Sequence, residues 1–174
     1  IFLARQAGCQ TRLGPEGPEI YGENSASADA GLALNNASLC YRITPLKAGE
    51  KQRIQDAPAD VDLDEIRPVT SIRTYPNGDL NMNPLGMMSG QLAHQLGENA
   101  YGEALKRMRA HWYILQTRYP FQDWKLSWVS PFLGVREGPR LVGRYVLNER
   151  DIDAGLAQQE HGDFIAIADH AVDF

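Results

Sequence analysis

The stretch Gly134-Val-Arg-Glu-Gly-Pro-Arg140 sets three charged side chains able to do chemistry around one turn. Arg136 and Arg140 flank a Gly138-Pro139 turn, with Glu137 between them. Two guanidinium groups presented from one turn suit a carboxylate or phosphate, because each planar fork can donate two parallel hydrogen bonds. The competing reading is an exposed Arg–Glu pair within the turn, which adds little stability. A second constellation is Asn77-Gly-Asp-Leu-Asn81-Met82-Asn83, followed by Met87 and Met88. Asn81 and Asn83, beside soft apolar side chains, are expected to line a pocket for a polar organic substrate. The alternative is a hairpin whose asparagines only form its turn.

The histidines are scattered. His94 and His111 fall in helical patterns, while His161 and His170 flank an apolar run near the chain end. Their spacing suggests no metal site, and each reads as solvated or internally satisfied. His170 stays open as a substrate-binding residue because Asp169 and Asp173 lie near it in sequence. Cys9 and Cys40 form no C-x-x-C; they read as two separate thiols in a reducing compartment, with one disulfide as the alternative. The chain has no G-x-G-x-x-G after a strand, no phosphate-binding loop ending in Gly-Lys-Ser/Thr, no G-x-S-x-G and no H-E-x-x-H.

These residues need elements to position them. Leu39, Tyr41 and Ile43 alternate with Ser38, Cys40 and Arg42, which is strand spacing. Val69 to Tyr75, the turn Pro76-Asn77-Gly78-Asp79 and Leu80 to Asn83 predict a β-hairpin. A short helix is expected over Gln91 to Leu96, broken at Gly97. The clearest helix runs from Glu98 to Tyr119. There Tyr101, Ala104, Leu105, Met108, Trp112, Leu115 and Tyr119 recur every three or four residues. Further strands are predicted over Asp123 to Pro131, with Trp124, Leu126 and Trp128 alternating, over Arg140 to Asn148, and over Asp163 to Phe174. Asn148 should cap a short helix. Gly14 to Gly31 reads as loop and Lys47 to Ile66 as a polar surface excursion. The strands do not alternate strictly with helices. The expected class is therefore α+β, a mixed or antiparallel sheet with two or three helices, in one domain spanning 1–174.

Composition narrows the function classes. The chain has 174 residues, 43% of them hydrophobic and 22% charged, as in an ordinary globular domain. A net charge of -5 argues against nucleic acid as a partner, and no apolar run is long enough to span a membrane. The chain opens Ile-Phe-Leu-Ala-Arg, so it is expected to be a mature product or an internal segment. The expected compartment is the cytoplasm, with the periplasm as the alternative.

The block Gly134, Val135, Arg136, Glu137, Arg140, Val142, Gly143, Tyr145, Leu147 and Asp151 resembles a motif of bacterial FAD-dependent oxidoreductases, some labelled xanthan-lyase-related. Ala7 to Glu23, Tyr75 to Gly90 and Ala168 to Asp173 are similar to further segments of that family, in the same order. Gly138 and Pro139 depart from the motif, which carries a hydroxyl residue and a second arginine there. The family's opening glycine fingerprint and closing flavin-contacting stretch have no match either. The resemblance implies a β-rich substrate-side domain over the isoalloxazine ring, bracketed by the missing flavin-binding halves of the same protein. The flavin would do the redox chemistry on a small-molecule, sugar-related substrate. On that reading Arg136, Glu137 and Arg140 contact or brace the cofactor, and Asn81, Asn83 and His170 contact substrate. The residues identify no catalytic base. These residues alone are expected to bind FAD poorly and to be inactive. The alternative is a non-catalytic module for an acidic or carbohydrate ligand; a third is an interface domain packing on a partner chain.

Overall fold

The computed structural model describes residues 2–24, 26, 34–51, 56–163 and 165–167. In chain order the elements are Phe2–Gln6 (α1), Thr11–Arg12 (β1), Pro18–Tyr21 (α2), Tyr41–Pro45 (β2), Thr70–Thr74 (β3), Leu80–Pro84 (β4), Gly90–Leu96 (α3), Ala100–Arg118 (α4), Trp124–Val129 (β5), Arg140–Leu141 (β6) and Glu149–Ala154 (α5). The class is α+β, and every strand pairing is antiparallel. The packing forms two units, residues 34–138 and residues 1–33 with 139–174.

The 34–138 unit is built on a four-stranded sheet of order β3-β4-β2-β5. Strand alternation sends Tyr41 and Ile43 of β2 and Met82 of β4 to one face, where all three are fully buried. They meet Ala104, Met108, Trp112 and Leu115 of α4 and Ala93 of α3 in one core. The predicted helical stripe is thus the packed face, although Tyr119 lies past the helix end and is exposed. Gly97–Asn99 forms a single 3-10 turn leading into α4.

A second face of α4 is also buried. Ala110 and Ile114 pack with Ile66, flanked by Val61 and Leu63. The expected surface excursion over Lys47 to Ile66 is corrected in its last residues, which close over the helix. Asp62 caps a 3-10 turn at Leu63–Glu65 through its side chain. That turn sets Ile66 against α4 and hides apolar surface that a polar-looking stretch does not advertise.

The predicted hairpin is present. Asn77 and Asp79 exchange hydrogen bonds across the turn, and Gly78 takes a φ of 87°, which only glycine adopts without strain. In β5 the alternation is broken. Arg42 pairs with Trp128 but Ile43 pairs with Leu126, so Ser127 is an extra residue. Its hydroxyl donates to the Arg42 carbonyl at 3.2 Å. Such a bulge re-phases the side chains beyond it. Leu126 and Val129 therefore pack on the core, while Trp128 is 46% exposed.

The other unit pairs β1 with β6 through Thr11↔Leu141 and Arg12↔Arg140. The strand predicted over Arg140 to Asn148 is corrected to these two residues, with Val142 N–H adding one bond to the Gln10 carbonyl. The chain folds tightly just beyond, where a side chain at Gly143 would lie 2.8 Å from the Tyr145 carbonyl oxygen. Asn148 caps α5 as expected. It forms a capping box with Asp151, and Glu149 N–H donates to the Glu23 carboxylate. The predicted loop from Gly14 holds the four-residue α2. The strand predicted over Asp163 to Phe174 lies largely outside the described residues, and its described positions form no strand. No hydrophobic side chain described in this unit is fully buried: Leu141, Leu147 and Ile152 are each about half exposed or more.

Candidate functional site

The site begins in Leu34 to Ser38, ahead of β2. Ala37 bridges to Met88, and Ser38 exchanges two backbone hydrogen bonds with Gly134. Gly90, the first residue of α3, lets the segment approach. A methyl group there would sit 2.3 Å from the Asn35 carbonyl oxygen. Gly134 serves the same purpose, since its added carbon would lie 3.1 Å from the Ser38 carbonyl oxygen.

Glu137 fixes the end of this segment. Its carboxylate accepts from the Asn35 backbone N–H at 2.7 Å and from the Asn35 side-chain amide at 2.9 Å. The result is an open cavity of about 180 Å³ lined by Asn35, Asn36, Ser38, Pro84, Leu85, Gly86 and Arg136. Arg136 makes no hydrogen bond or ion pair with any described residue. Behind the wall, the Asn83 side-chain oxygen accepts from the Ser38 hydroxyl at 3.1 Å and the Cys40 thiol at 3.5 Å. Burial pushes the Cys40 thiol's pKa up, against the opposing field of Arg136, so the group is a neutral donor. A free guanidinium over a small polar cavity can receive one carboxylate or comparably polar group.

The predicted site residues therefore separate. Arg136 lines the cavity, Glu137 braces it, and Asn83 holds its rear wall. Arg140 belongs to β6, where its guanidinium bonds Glu16 at 2.6 Å and also donates to the Gly14 carbonyl. Burial opposes ionisation of Glu16, but the hydrogen bonds from Arg140 and Arg12 outweigh it and hold the carboxyl below the usual range. Neither pairing expected of Glu137, with Arg136 or with Arg140, forms. Asn81 sits on the sheet face opposite the core, between Arg73 and Arg42 in register. His170 lies outside the described residues. Met82, Met87 and Met88 are buried in the core and do not line the Arg136 cavity, because they lie on the inward phase of β4 and of the bridge after it.

Other candidates resolve as structure. His111 is 1% exposed, and its Nδ1 shares a 2.8 Å hydrogen bond with the Tyr41 hydroxyl, whose direction is set by the ring's tautomer. Burial lowers its pKa to about 4, with the Pro68 carbonyl weakly opposing, although Nε2 has no partner within hydrogen-bonding geometry. His161 stacks edge-on against Tyr145, at a centroid distance of 4.6 Å. Cys9 and Cys40 are both free thiols. Among the described residues no His, Cys, Asp and Glu side chains group as metal ligands. No described helix is long and apolar enough to cross a membrane. Sequence reasoning missed Asn35, Asn36 and Ser38. The available signal was the Asn35-Asn36 pair, which interrupts an apolar run just ahead of a strand.

The sequence matches the family described as FAD dependent oxidoreductase over residues 2–174. The chain belongs to that family. Neither the curated proteins nor the solved structures contain a significant match. FAD is the cofactor the family implies. The described residues of this flavoprotein-family chain do not fit its dinucleotide moiety. All their sheets are antiparallel, and no glycine-rich turn leads from a strand into a helix N-terminus, the arrangement that holds a pyrophosphate. The Arg136 cavity, at about 180 Å³, is also below the roughly 300 Å³ at which drug-sized ligand pockets begin.

Proposed function

We propose that these residues form the substrate-side part of an FAD-dependent oxidoreductase acting on a small, polar, sugar-related organic molecule. In this reading Arg136 receives an anionic or strongly polar group of the bound molecule, and Glu137 holds the cavity open. The observation that carries it is the Arg136 guanidinium, unpaired among the described residues, over a cavity where Asn35 and Ser38 are already engaged. Support for flavin-holding structure elsewhere in the protein comes from the half-exposed apolar side chains Leu141, Leu147 and Ile152. Asn81 and His170 remain substrate contacts in this proposal, and Arg140 a brace near the cofactor.

The test uses the native protein purified with its flavin. It should be yellow and release FAD on denaturation. Arg136→Ala should keep the flavin content but lose the perturbation of the flavin spectrum that acetate or glucuronate produces in the parent. A colourless protein that takes up no added FAD would sink the reading and favour a non-catalytic module for an acidic or carbohydrate ligand.

A further inference from the structure

The sheet face turned away from α4 carries side chains that its own packing does not require. Strand register places Arg73 of β3, Asn81 of β4, Arg42 of β2 and Trp128 of β5 side by side across all four strands. Tyr75, just past β3, reaches back over this row. The Arg42 guanidinium carbon lies 4.3 Å from the Tyr75 ring centroid and 5.9 Å from that of Trp128. Neither Arg42 nor Arg73 is ion-paired with a described carboxylate. The acid beside them in the hairpin, Asp79, accepts instead from the Asn77 amide. The Arg42 Nε is sealed from solvent without any acceptor.

A guanidinium flanked by aromatic faces keeps its N–H edges for in-plane acceptors. Among the described residues no acceptor occupies those edges. A second unpaired arginine stands two strands away, roughly 10 Å at ordinary strand spacing. The field over this face is therefore positive although the whole chain carries a net charge of -5. Trp128 adds an indole that is 46% exposed, and Asn81 puts one donor and one acceptor between the two cations. A cation–π brace between Arg42 and Tyr75 alone needs neither Arg73 nor an outward Trp128.

We infer that this face binds a small carboxylate attached to a ring. The carboxylate is held by Arg42 in the field of Arg73, and the ring lies against Trp128. Arg42, Arg73 and Trp128 carry the inference and none of them lines the Arg136 cavity, so it stands apart from the function proposed above, which shares only Asn81 with this face. The ring can be aromatic or a sugar; the chemistry they share is a flat or chair-shaped face carrying one anion.

The test is a titration of the full 15N-labelled chain, read at the Trp128 indole N–H and the Arg42 Nε–H. Probes are benzoate, glucuronate, acetate and glucose. Saturable shifts with benzoate or glucuronate, at least about tenfold tighter than with acetate or glucose, support the site; the tighter of the two acids names the ring. Arg73→Gln and Trp128→Ala, both at exposed positions, should each weaken binding severalfold without lowering the melting temperature. Arg42→Gln should abolish it, and Arg136→Ala should leave it unchanged. The inference is overturned by the absence of saturable shifts with either acid, by equal affinity for acetate, or by unchanged affinity in both Arg73→Gln and Trp128→Ala.

Discussion

Glu137 engages Asn35 with both carboxylate oxygens, while Arg136, one position earlier, engages no described residue. The two neighbours should therefore respond differently to removal. Arg136→Ala is an exposed change and should shift stability by no more than about 0.5 kcal/mol, read by chemical denaturation. Glu137→Ala leaves the Asn35 backbone and amide donors without their charged acceptor. It should cost roughly 1–3 kcal/mol. His111 makes the one sharp pH prediction. Its folded pKa of about 4 lies below the 6.5 of the free side chain, so between those values the unfolded chain binds the extra proton. Stability is then full above pH 6.5 and falls as pH drops toward 4, by on the order of 3 kcal/mol from this residue. Urea midpoints across that range, compared with His111→Phe, check it: the variant should show the shallower dependence.

Trp112 and Gly90 give predictions for the elements. Trp112 of α4 is 6% exposed in the core, so Trp112→Ala should cost about 3–5 kcal/mol. Gly90→Ala improves helix propensity at the start of α3, yet should destabilise by roughly 1–3 kcal/mol, because the new methyl meets the Asn35 carbonyl. Wild-type stability in Gly90→Ala would mean that Leu34 to Ser38 can move off the helix. Local periodicity made much of this legible. The alternation of Leu39, Tyr41 and Ile43, the Pro76–Asp79 turn and the α4 stripe all appear where their spacing puts them. What stayed hidden is non-local. Ser127 looks like any strand residue, and only its pairing with β2 makes it a bulge. The two residues of β1 carry no period at all. Glu137 meets a partner 102 positions away, which no local pattern encodes.

At the scale of the whole molecule, the two units differ in how their chain is assembled. Residues 34–138 hold all the fully buried hydrophobic side chains described. A fragment covering those residues should fold cooperatively and keep the buried Trp112 signature in near-ultraviolet circular dichroism; a featureless spectrum would refute this. The other unit is stitched from both ends of the chain, with Arg12 opposite Arg140 and Glu16 bonded to Arg140. That arrangement carries a timetable for synthesis. As the chain leaves the ribosome, Thr11 and Arg12 emerge more than a hundred residues before their pairing partners Leu141 and Arg140. The 34–138 unit can be complete before Arg140 appears. Pairing β1 with β6 last closes a loop whose middle, residues 34–138, is already folded, which leaves less flexible chain to close. A ribosome paused before Pro139 would hold a finished 34–138 unit with Thr11 and Arg12 still unpaired with β6 and open to protease.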